Sequence, residues 1–459
     1  MSMAQKSQSN KISSNQKKVG KNFLGILNDL KRRPEDAAVE LGISFEEITQ
    51  IIDGKKILSQ EIIEKAAKIW PVNVSDFYMI HDDTPTGVKV MSAAESKMSS
   101  RIMNRAGKPY YEYRDTVMSS VAPFRPEWIM ELCHVDDNNS ENTNAKWNNG
   151  HFMHQFTYFI GDVNFYYLDQ NNKKQVSIMK TGDSMYISPF VPHTFTSRNK
   201  QNNGLILALT YGNKLTGDVK QELSGLSIEA GSQFSLDFST KERSSGSLLK
   251  FHREISSLTI NEVSARTKIS INIITDLENA NRLPTHDEII LLAKCYNVNS
   301  RDLMCDDKIE KKVVVKQYNE CKKWFYPENS KIYEFVELTS TTSLPFSKAF
   351  EINVQNSDSL DYDFKVGLHQ FIYNVGENEL SLNWEFNNEK YTKSIQPGDS
   401  VYIKPFIRHN FRGNGKLVAL RVGGKITGDS QRELSLIGQR NTKRAINETM
   451  QWFDPNGKN

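Results

Sequence analysis

The sequence of 459 residues lacks long hydrophobic runs, clustered cysteines and a strong excess of charge of either sign. No apolar stretch approaches the roughly 18 residues that a membrane-spanning helix needs, so we expect no membrane partner. The four cysteines show no Cys-x-x-Cys spacing, which argues against a zinc knuckle or a disulfide framework and favours a reduced cytoplasmic protein. A formal net charge of +3 gives the whole chain no strong field for nucleic acid.

The start of the chain also lacks the apolar core of a signal peptide. Residues 1–20 are rich in Ser, Gln, Asn and Lys, which is a composition typical of disorder. We therefore predict a disordered basic arm over residues 1–20, followed by folded domains.

An internal duplication organises the rest of the chain. The segment TGDSMYISPFVPHTF recurs as PGDSVYIKPFIRHNF, so His193 corresponds to His409 at an offset of 409 − 193 = 216. Upstream, ISFEEITQIIDGKKILSQEII resembles ISINIITDLENANRLPTHDEI, and Ile43 corresponds to Ile269 at an offset of 269 − 43 = 226. Two ordered matches at similar offsets indicate that a two-part unit has been duplicated.

The first part of each unit is predicted to be helical, because its apolar residues recur at helical spacing. Gly42 is expected to end one helix, and Ser44 with Glu47 three residues later has the capping-box pattern that starts the next. Ser270 stands at the equivalent start in the second copy. A helix, a short turn and a further helix predict a helix-turn-helix-like domain.

The second part of each unit is predicted to be β-rich. Runs such as FTYFI, VNFYYL and LILALTY are β-branched or aromatic and are separated by Gly-Asp and Asn-Asn turns. Short strands at this spacing predict a β-sandwich or a jelly-roll barrel. The fold class is therefore α+β, with the helical and β-rich parts in tandem repeat.

The helical pattern followed by GDxxYIxPFxxH, present twice, resembles the hydroxyethylphosphonate dioxygenase and methylphosphonate synthase family. The resemblance covers the chain from about Lys21 onward. It implies that each β-rich part is a cupin, a jelly-roll β-barrel. The expected domains are helix-turn-helix-like over 21–82, a catalytic cupin over 83–240, helix-turn-helix-like over 241–306, and a degenerate, structural cupin over 307–459.

The family resemblance implies an Fe(II) site in the first cupin, where two histidines and a third ligand leave positions for oxygen and substrate. No His-x-Asp or His-x-Glu pair lies near His151, which argues against an ordinary 2-oxoglutarate oxygenase. The dioxygenases of the family place a glutamate six residues before the later histidine, where this sequence has Ile187. The synthases resemble His-x-x-x-Gln followed by the later histidine, and His151, Gln155 and His193 meet that pattern. The closer resemblance is therefore to the synthases.

Strand geometry supports this ligand set in part. Residues i and i+4 of a strand share one face, so His151 and Gln155 point together while His154 points the other way. A straight strand separates two such residues by about 13 Å, so a bend near Gly150 is required before both can bind one ion. His154 therefore stays open as the ligand in place of Gln155.

The second cupin keeps His369-Gln370 and His409, but Val366 stands where the first cupin has His151. With one nitrogen ligand lost, we expect the second cupin to hold no iron. His409 would then be a buried histidine that is satisfied by hydrogen bonds.

A phosphonate substrate needs Arg, Lys, Tyr hydroxyl or Asn donors. Asn148 lies three residues before His151, and the spacing of Arg105 and Tyr113 is similar to that of the family's phosphonate-binding pair. Lys31 is a further carry-over that would bind in its own subunit or in a neighbouring one of a homo-oligomer. The alternative for each of these residues is a solvated surface position, and no catalytic residue is predicted beyond the metal ligands.

The expected reaction is oxidative carbon–carbon cleavage of 2-hydroxyethylphosphonate with O2 to methylphosphonate and carbon dioxide. One alternative is a dioxygenase that gives hydroxymethylphosphonate and formate, and another is a metal-free cupin isomerase. A helix-turn-helix/cupin transcription regulator is the alternative from a different class. The helices expected over 44–53 and 270–278 contain no Arg or Lys, so we predict no specific nucleic-acid partner.

Overall fold

The computed structural model describes residues 3–122, 124–212, 214–306, 311–329, 331–356 and 361–453. Helices and mostly antiparallel strands alternate in two similar halves. The helices are α1 (Met3–Asp29), α2 (Pro34–Leu41), α3 (Phe45–Ile52), α4 (Gln60–Ile69), α5 (Ala93–Met98), α6 (Asp218–Ser224), α7 (Ile228–Ser232), α8 (Lys241–Ile255), α9 (Ile260–Thr267), α10 (Ile271–Glu278), α11 (His286–Tyr296) and α12 (Asp429–Ile446).

The first half contains ten strands: β1 (Val88–Met91), β2 (Arg101–Arg105), β3 (Lys108–Asp115), β4 (Arg125–Glu131), β5 (His154–Ile160), β6 (Val163–Leu168), β7 (Lys174–Met179), β8 (Ser184–Ile187), β9 (His193–Ser197) and β10 (Leu205–Tyr211). The strands of the second half are β11 (Val313–Lys316), β12 (Lys323–Tyr326), β13 (Tyr333–Glu337), β14 (Ser347–Val354), β15 (Phe364–Lys365), β16 (His369–Asn374), β17 (Leu380–Phe386), β18 (Glu389–Ile395), β19 (Ser400–Ile403), β20 (Arg408–Arg412) and β21 (Gly415–Val422).

In the two helical units, α1–α4 and α8–α11, three helix ends lie at the residues that the sequence signals indicate. Gly42 follows α2 in the left-handed conformation, with φ 63°, and its N–H bonds back to the helix. The Ser44 hydroxyl accepts a hydrogen bond from the Glu47 N–H at the start of α3, and Ser270 caps α10 in the same way. Local capping chemistry is therefore the same in both copies.

Residues 3–20, where the sequence predicts a disordered arm, lie in α1. The structure has one helix from Met3, and it continues without a break into the first helical unit. Neither glycine nor proline interrupts the chain before Gly20, and Lys, Gln and Ala lose little side-chain freedom in a helix. Polar composition alone is therefore compatible with helix at this end. No helix within the described ranges is long and apolar enough to cross a membrane.

The first β unit consists of a seven-stranded sheet, in the order β11-β8-β5-β10-β4-β3-β2, and a three-stranded sheet, β7-β6-β9. The second β unit consists of a seven-stranded sheet, β1-β19-β16-β21-β14-β13-β12, and a four-stranded sheet, β15-β20-β17-β18. Each unit therefore encloses an inner face between a large and a small sheet. Every strand pairing in both units is antiparallel among the described strands.

The two β units exchange one edge strand each. β1 pairs with β19 of the second unit, placing Val88 opposite Ile403, and β11 pairs with β8 of the first, placing Val313 opposite Ile187. The predicted boundaries at residues 83 and 307 assign β1 to the first β-rich part and β11 to the second, so the structure corrects both assignments. A linear division misses this exchange because the partner of a strand is set by contacts distant in sequence.

The outer faces of the two seven-stranded sheets pack against each other and form the largest apolar core. Phe124 meets Phe371 with ring centroids 5.9 Å apart, and Trp128 meets Tyr373 at 5.8 Å. Across the same contact the buried Tyr158 hydroxyl donates a hydrogen bond of 2.6 Å to Glu351. Each unit thereby buries a sheet face that would be apolar and exposed on its own.

Helix α1 approaches α3 so closely that Gly20 has no room for a side chain. A Cβ on Gly20 would lie 2.3 Å from the carbonyl oxygen of Ile51. We predict that Gly20→Ala lowers the free energy of unfolding by about 1–3 kcal/mol, because the helices must separate. Gly25→Ala is the matched control in the same helix, since its Cβ would meet nothing nearer than 3.9 Å. Thermal unfolding compares the two, and equal shifts would contradict the close approach.

Candidate metal centre and substrate site

A sharp turn before β5 brings His151 back onto the first residues of that strand. Gly150 has φ +74°, and a Cβ there would lie 2.5 Å from the Phe190 backbone. The Phe190 N–H donates to the carbonyl of His151 at 2.8 Å, which holds the turn against the loop before β9. His151 therefore lies outside the straight strand, and its Nε2 is 3.0 Å from Gln155 Oε1.

His193 is the first residue of β9 and is almost fully buried. Its Nδ1 lies 2.8 Å from the carbonyl oxygen of Val191, which accepts the ring proton. Its Nε2 lies 3.1 Å from the side-chain nitrogen of Asn148, and its ring centroid is 5.3 Å from that of His151. Burial lowers the pKa of His193 to about 3, so the ring is neutral and Nε2 carries a lone pair.

The acceptor atoms of His151 and Gln155 face each other in this cluster. His151 Nδ1 is 2.8 Å from the Met153 carbonyl, which only accepts, so Nδ1 carries the ring proton, and in that tautomer Nε2 carries a lone pair. Gln155 donates its amide hydrogen to Thr157 at 2.8 Å and turns Oε1 towards His151. In that tautomer His151 Nε2 and Gln155 Oε1 are two acceptors 3.0 Å apart, a pair that a bound cation would satisfy, so this donor set fits a metal ion.

Gln155 is the third side chain that this cluster offers. Within the part of the chain that the structure describes, no three His, Cys, Asp or Glu side chains are grouped to hold a metal. Ile187, fully buried on β8, lies directly opposite Gln155 on β5. Residues opposite each other in antiparallel strands have Cβ atoms about 5 Å apart and share a face. A ligand from either strand would therefore reach the same ion.

His154 projects to the other side of β5, away from His151 and His193. Its Nδ1 is 2.7 Å from the Tyr186 hydroxyl, and its ring stacks on Tyr186 and Tyr211 in the core between the β units. His369 contacts Tyr402 at 2.7 Å at the equivalent place in the second unit. Both units therefore have a packed histidine at this position, although only the first unit also has His151.

Arg105 lies beside the histidine cluster. Its guanidinium donates to the Thr194 hydroxyl at 3.1 Å, and Thr194 follows His193 directly in β9. The guanidinium also lies over the rings of Tyr110, at 4.9 Å, and Tyr111, at 4.7 Å. The stacked rings and the threonine hold a positive charge next to the cluster, which is suitable for an anionic substrate group.

The other predicted substrate residues have different surroundings. Asn148 accepts from the backbone N–H of His193 at 2.9 Å and so lies within the cluster. Tyr113 is mostly buried on β3, and burial raises its pKa to about 12, so its hydroxyl keeps its proton. Lys31 lies apart, exposed after α1, with its ammonium 5.8 Å from the ring centre of Trp452. In a single chain the structure brings Asn148 and Arg105 to the cluster and leaves Lys31 on the helical unit.

Glu131 is a buried group that the sequence reasoning missed. It is fully buried at the end of β4, and neither carboxyl oxygen has a hydrogen-bond partner among the described residues. Burial raises its pKa well above the ordinary value, and the charge of Arg105 opposes that shift. An acidic residue inside the apolar run WIMEL is the signal that would have revealed it.

The duplication shows that the fold does not need this carboxyl. Tyr111 and Tyr333 are equivalent, because each hydroxyl accepts the backbone N–H of the phenylalanine two residues after the later histidine, at 2.9 Å and 3.1 Å. Glu131 lies opposite Tyr111, whereas Val354 lies opposite Tyr333. This buried carboxyl group is therefore found in the unit that holds the histidine cluster.

The second β unit lacks the equivalent of His151. The Phe406 N–H donates to the carbonyl of Val366 at 2.7 Å, as the Phe190 N–H does to His151. His409 is buried, and its Nδ1 is 2.9 Å from the Ile407 carbonyl. The structure thus aligns Val366 with His151.

Comparisons with known proteins identify the family of the chain. No protein-family profile matches the chain. Methylphosphonate synthase of Nitrosopumilus maritimus (strain SCM1) is 62% identical over 441 residues, which cover 96% of each protein. The structure of Streptomyces albus HEPD with its substrate 2-hydroxyethylphosphonate and Fe(II) bound matches at a TM-score of 0.89 and 32% identity, over 96% of this chain and 99% of that one. PhpD with cadmium, complexed with hydroethylphosphonate, shares the fold at a TM-score of 0.73 and 18% identity, over 93% and 99%.

A cluster of two histidines and an amide, in a fold shared with an Fe(II)-bound enzyme, defines the chain as an Fe(II)-dependent oxygenase. The chain belongs to the methylphosphonate synthase family. The family resemblance that the repeated GDxxYIxPFxxH motif predicted is thereby confirmed, together with the enzyme class and the Fe(II) cofactor.

Replacing Glu131 by valine, its counterpart in the second unit, should stabilise the metal-free protein. An unpartnered buried polar group costs about 1–3 kcal/mol, and Glu131→Val removes that cost. The matched control is Glu127→Val on the same face of β4, because Glu127 is paired with Arg101 and should give no gain. Thermal unfolding of the metal-free proteins measures both, and a lower midpoint for Glu131→Val would show that the carboxyl has a partner.

Proposed function

We propose that this chain uses Fe(II), bound by His151, Gln155 and His193, to cleave the carbon–carbon bond of 2-hydroxyethylphosphonate. The products are methylphosphonate and carbon dioxide, and one O2 per substrate balances the reaction with release of water. The observation that carries the proposal is 62% identity to a methylphosphonate synthase over 96% of both chains. Bound Fe(II) supplies the activation of O2 and a Lewis-acid site for substrate oxygen atoms.

The architecture proposed for this activity is a tandem repeat of helix-turn-helix-like domains and cupins. The seven-stranded and smaller sheets of each β unit would form the jelly-roll barrel, with the cluster on its inner face. The helical units would pack against the barrels without binding specific DNA, since α3 and α10 contain no Arg or Lys. We propose a cytoplasmic location for the enzyme.

Three observations support Gln155 over His154 as the third ligand. Gln155 Oε1 faces His151 as an unprotonated acceptor, whereas His154 contacts Tyr186 in the opposite core. Ile187, which has no ligand atom, occupies the opposite position on the neighbouring strand. The amide therefore takes over a coordination position that the dioxygenases of the family fill from β8.

Arg105, Tyr113 and Asn148 are proposed to orient the phosphonate. Arg105 offers a fixed positive charge held by Thr194, and Tyr113 offers a neutral hydroxyl donor. Asn148 places its amide nitrogen 3.1 Å from His193, so it would lie between the histidine and the substrate oxygens. Anchoring the charged end of the substrate fixes the hydroxyl-bearing carbon towards the histidines.

Lys31 is proposed to act on the site of a neighbouring subunit in a homo-oligomer. Its exposed ammonium has only a local acceptor, the carbonyl of Asn28 at 3.2 Å, and the nearby ring of Trp452 within its own chain as described. A cation placed there is available to an anion on another subunit. Exposure of the side chain is what supports this placement.

Hydroxymethylphosphonate and formate are the products of the second candidate function, which the match to Streptomyces albus HEPD at 32% identity favours. The decisive difference lies at Ile187, where the dioxygenases of the family have a glutamate. A neutral amide leaves the metal one unit more positive than a carboxylate would, which alters its redox poise. The identity to the synthase makes methylphosphonate the proposed product.

Phosphorus NMR of products from 2-hydroxyethylphosphonate, air and anaerobically loaded Fe(II) enzyme tests the function. Methylphosphonate is expected as the main product, and carbon dioxide replaces formate. His193→Ala should abolish turnover because a ligand is lost, whereas His409→Ala, the matched change in the second unit, should retain it. Hydroxymethylphosphonate with formate as main products would favour the second candidate.

The cross-strand geometry predicts that a carboxylate at position 187 can replace Gln155. Gln155→Ala should weaken Fe(II) binding by about 10-fold or more, by analogy with the loss of supporting groups at metal sites. Adding Ile187→Glu to that variant should restore binding, because the two positions face the same ion. Anaerobic metal titration measures both, with Ile187→Gln as the neutral control. Unchanged binding in Gln155→Ala would return His154 to consideration.

A further inference from the structure

The second β unit retains most of the polar frame of the first, although Val366 replaces a histidine. Gln370 lies on β16 as Gln155 does on β5, and His409 begins the motif strand as His193 does. Both side chains of the second unit are almost fully buried. The second unit therefore retains two of the three residues that are proposed as ligands in the first unit.

The residue opposite the glutamine differs between the two units. Thr210 lies opposite Gln155 on the neighbouring strand, and Arg421 lies opposite Gln370. Because directly opposite residues share a face, the Arg421 side chain enters the inner face of the second unit. A permanent cation thus stands where the first unit leaves room for a metal ion.

Hydrogen bonds connect this cation to the retained ligand residues. Arg421 Nε donates to Gln370 Oε1 at 3.2 Å, and Gln370 Nε2 is 3.4 Å from His409 Nε2. His409 Nδ1 in turn contacts the carbonyl of Ile407 at 2.9 Å. The two units differ at the glutamine oxygen, because Gln370 Oε1 accepts from Arg421 whereas Gln155 Oε1 faces His151.

Aromatic rings surround the guanidinium of Arg421 and stabilise its charge. Its central carbon is 5.1 Å from the ring centre of Phe350, 5.6 Å from Phe335 and 5.8 Å from Phe364. Cation–π contacts of this kind are worth more when the cation is desolvated. Burial lowers the pKa of Arg421 to about 10, which leaves it charged at neutral pH.

We infer that the Arg421 guanidinium replaces a metal ion in the second β unit, which is a metal site closed by its own side chain. This inference rests on the proposed ligand set of the first unit. Two changes separate the second unit from a complete site: Val366 must become a ligand, and the arginine must leave. The pair Val366→His and Arg421→Thr makes the second unit match the first and should create a transition-metal site.

The test uses the full chain carrying His193→Ala, so that any bound metal reports the second unit alone. Co(II) is the probe, measured by metal analysis and by visible absorption. The background and the background with Val366→His should bind no Co(II), because Arg421 still donates a hydrogen bond to Gln370 Oε1 and places a positive charge beside it. Adding Arg421→Thr should give about one Co(II) per chain. Binding by Val366→His alone, or no binding by the folded triple variant, would overturn the inference.

Retention of Co(II) in the His193→Ala background itself would instead disprove the ligand set of the first unit, so the two failures are distinguishable.

A reciprocal change covers the case in which the triple variant does not fold. Thr210→Arg in the otherwise unchanged chain should weaken Co(II) binding at the first unit by about 10-fold or more. Thr210→Leu adds bulk without charge and should retain the metal. Unchanged Co(II) binding by Thr210→Arg would also overturn the inference.

Discussion

The buried contact between the outer faces of the two seven-stranded sheets decides which side of each strand is available for chemistry. Side chains alternate along a strand, so β5 sends His154 into this contact and Gln155 to the inner face. The exchange of β1 and β11 covers a sheet edge in each unit and ties the units together. The second unit therefore buries the back of the sheet that carries Gln155. The inner face of the second unit does not take part in this contact.

The inner faces have diverged while the frame has remained the same. The tyrosine hydroxyl on the backbone, the left-handed turns and the histidine–tyrosine pair on the outer face recur in both units. The differences are concentrated on the inner face: His151 against Val366, Glu131 against Val354 and Thr210 against Arg421. These substitutions change charge and coordination, whereas the recurring contacts support packing. Because the unit is duplicated, one molecule shows which contacts support packing and which substitutions change the inner face.

Local signals in the sequence predicted helix ends and the repeat. The pairing of strands that are distant in sequence was not predicted. Gly42 and Ser44 are found at the helix ends that their chemistry indicates, and the repeat predicted two similar halves. The predicted ligand set required a turn near Gly150, but the sequence did not show that turn. The turn is held by the backbone of Phe190, which is distant in sequence. The exchanged strands and the position of Ile187 opposite Gln155 depend on strand partners, which periodicity does not specify. Glu131 was missed because its isolation is a property of the folded interior.

Charge balance explains why the two inner faces hold different groups. The proposed ligand set of His151, Gln155 and His193 contains no carboxylate, so a divalent ion bound there would keep its full charge. An anion must compensate that charge in a buried site, and a phosphonate dianion beside Arg105 would supply it in the proposed function. The inner face of the second unit has the Arg421 guanidinium, whose single diffuse charge is stabilised by three phenylalanine faces and one amide oxygen. This cation is part of the chain and needs no ligand from solution. The proposed ligand set would thus make metal binding in the first unit dependent on an anionic substrate, whereas the second unit carries its own cation.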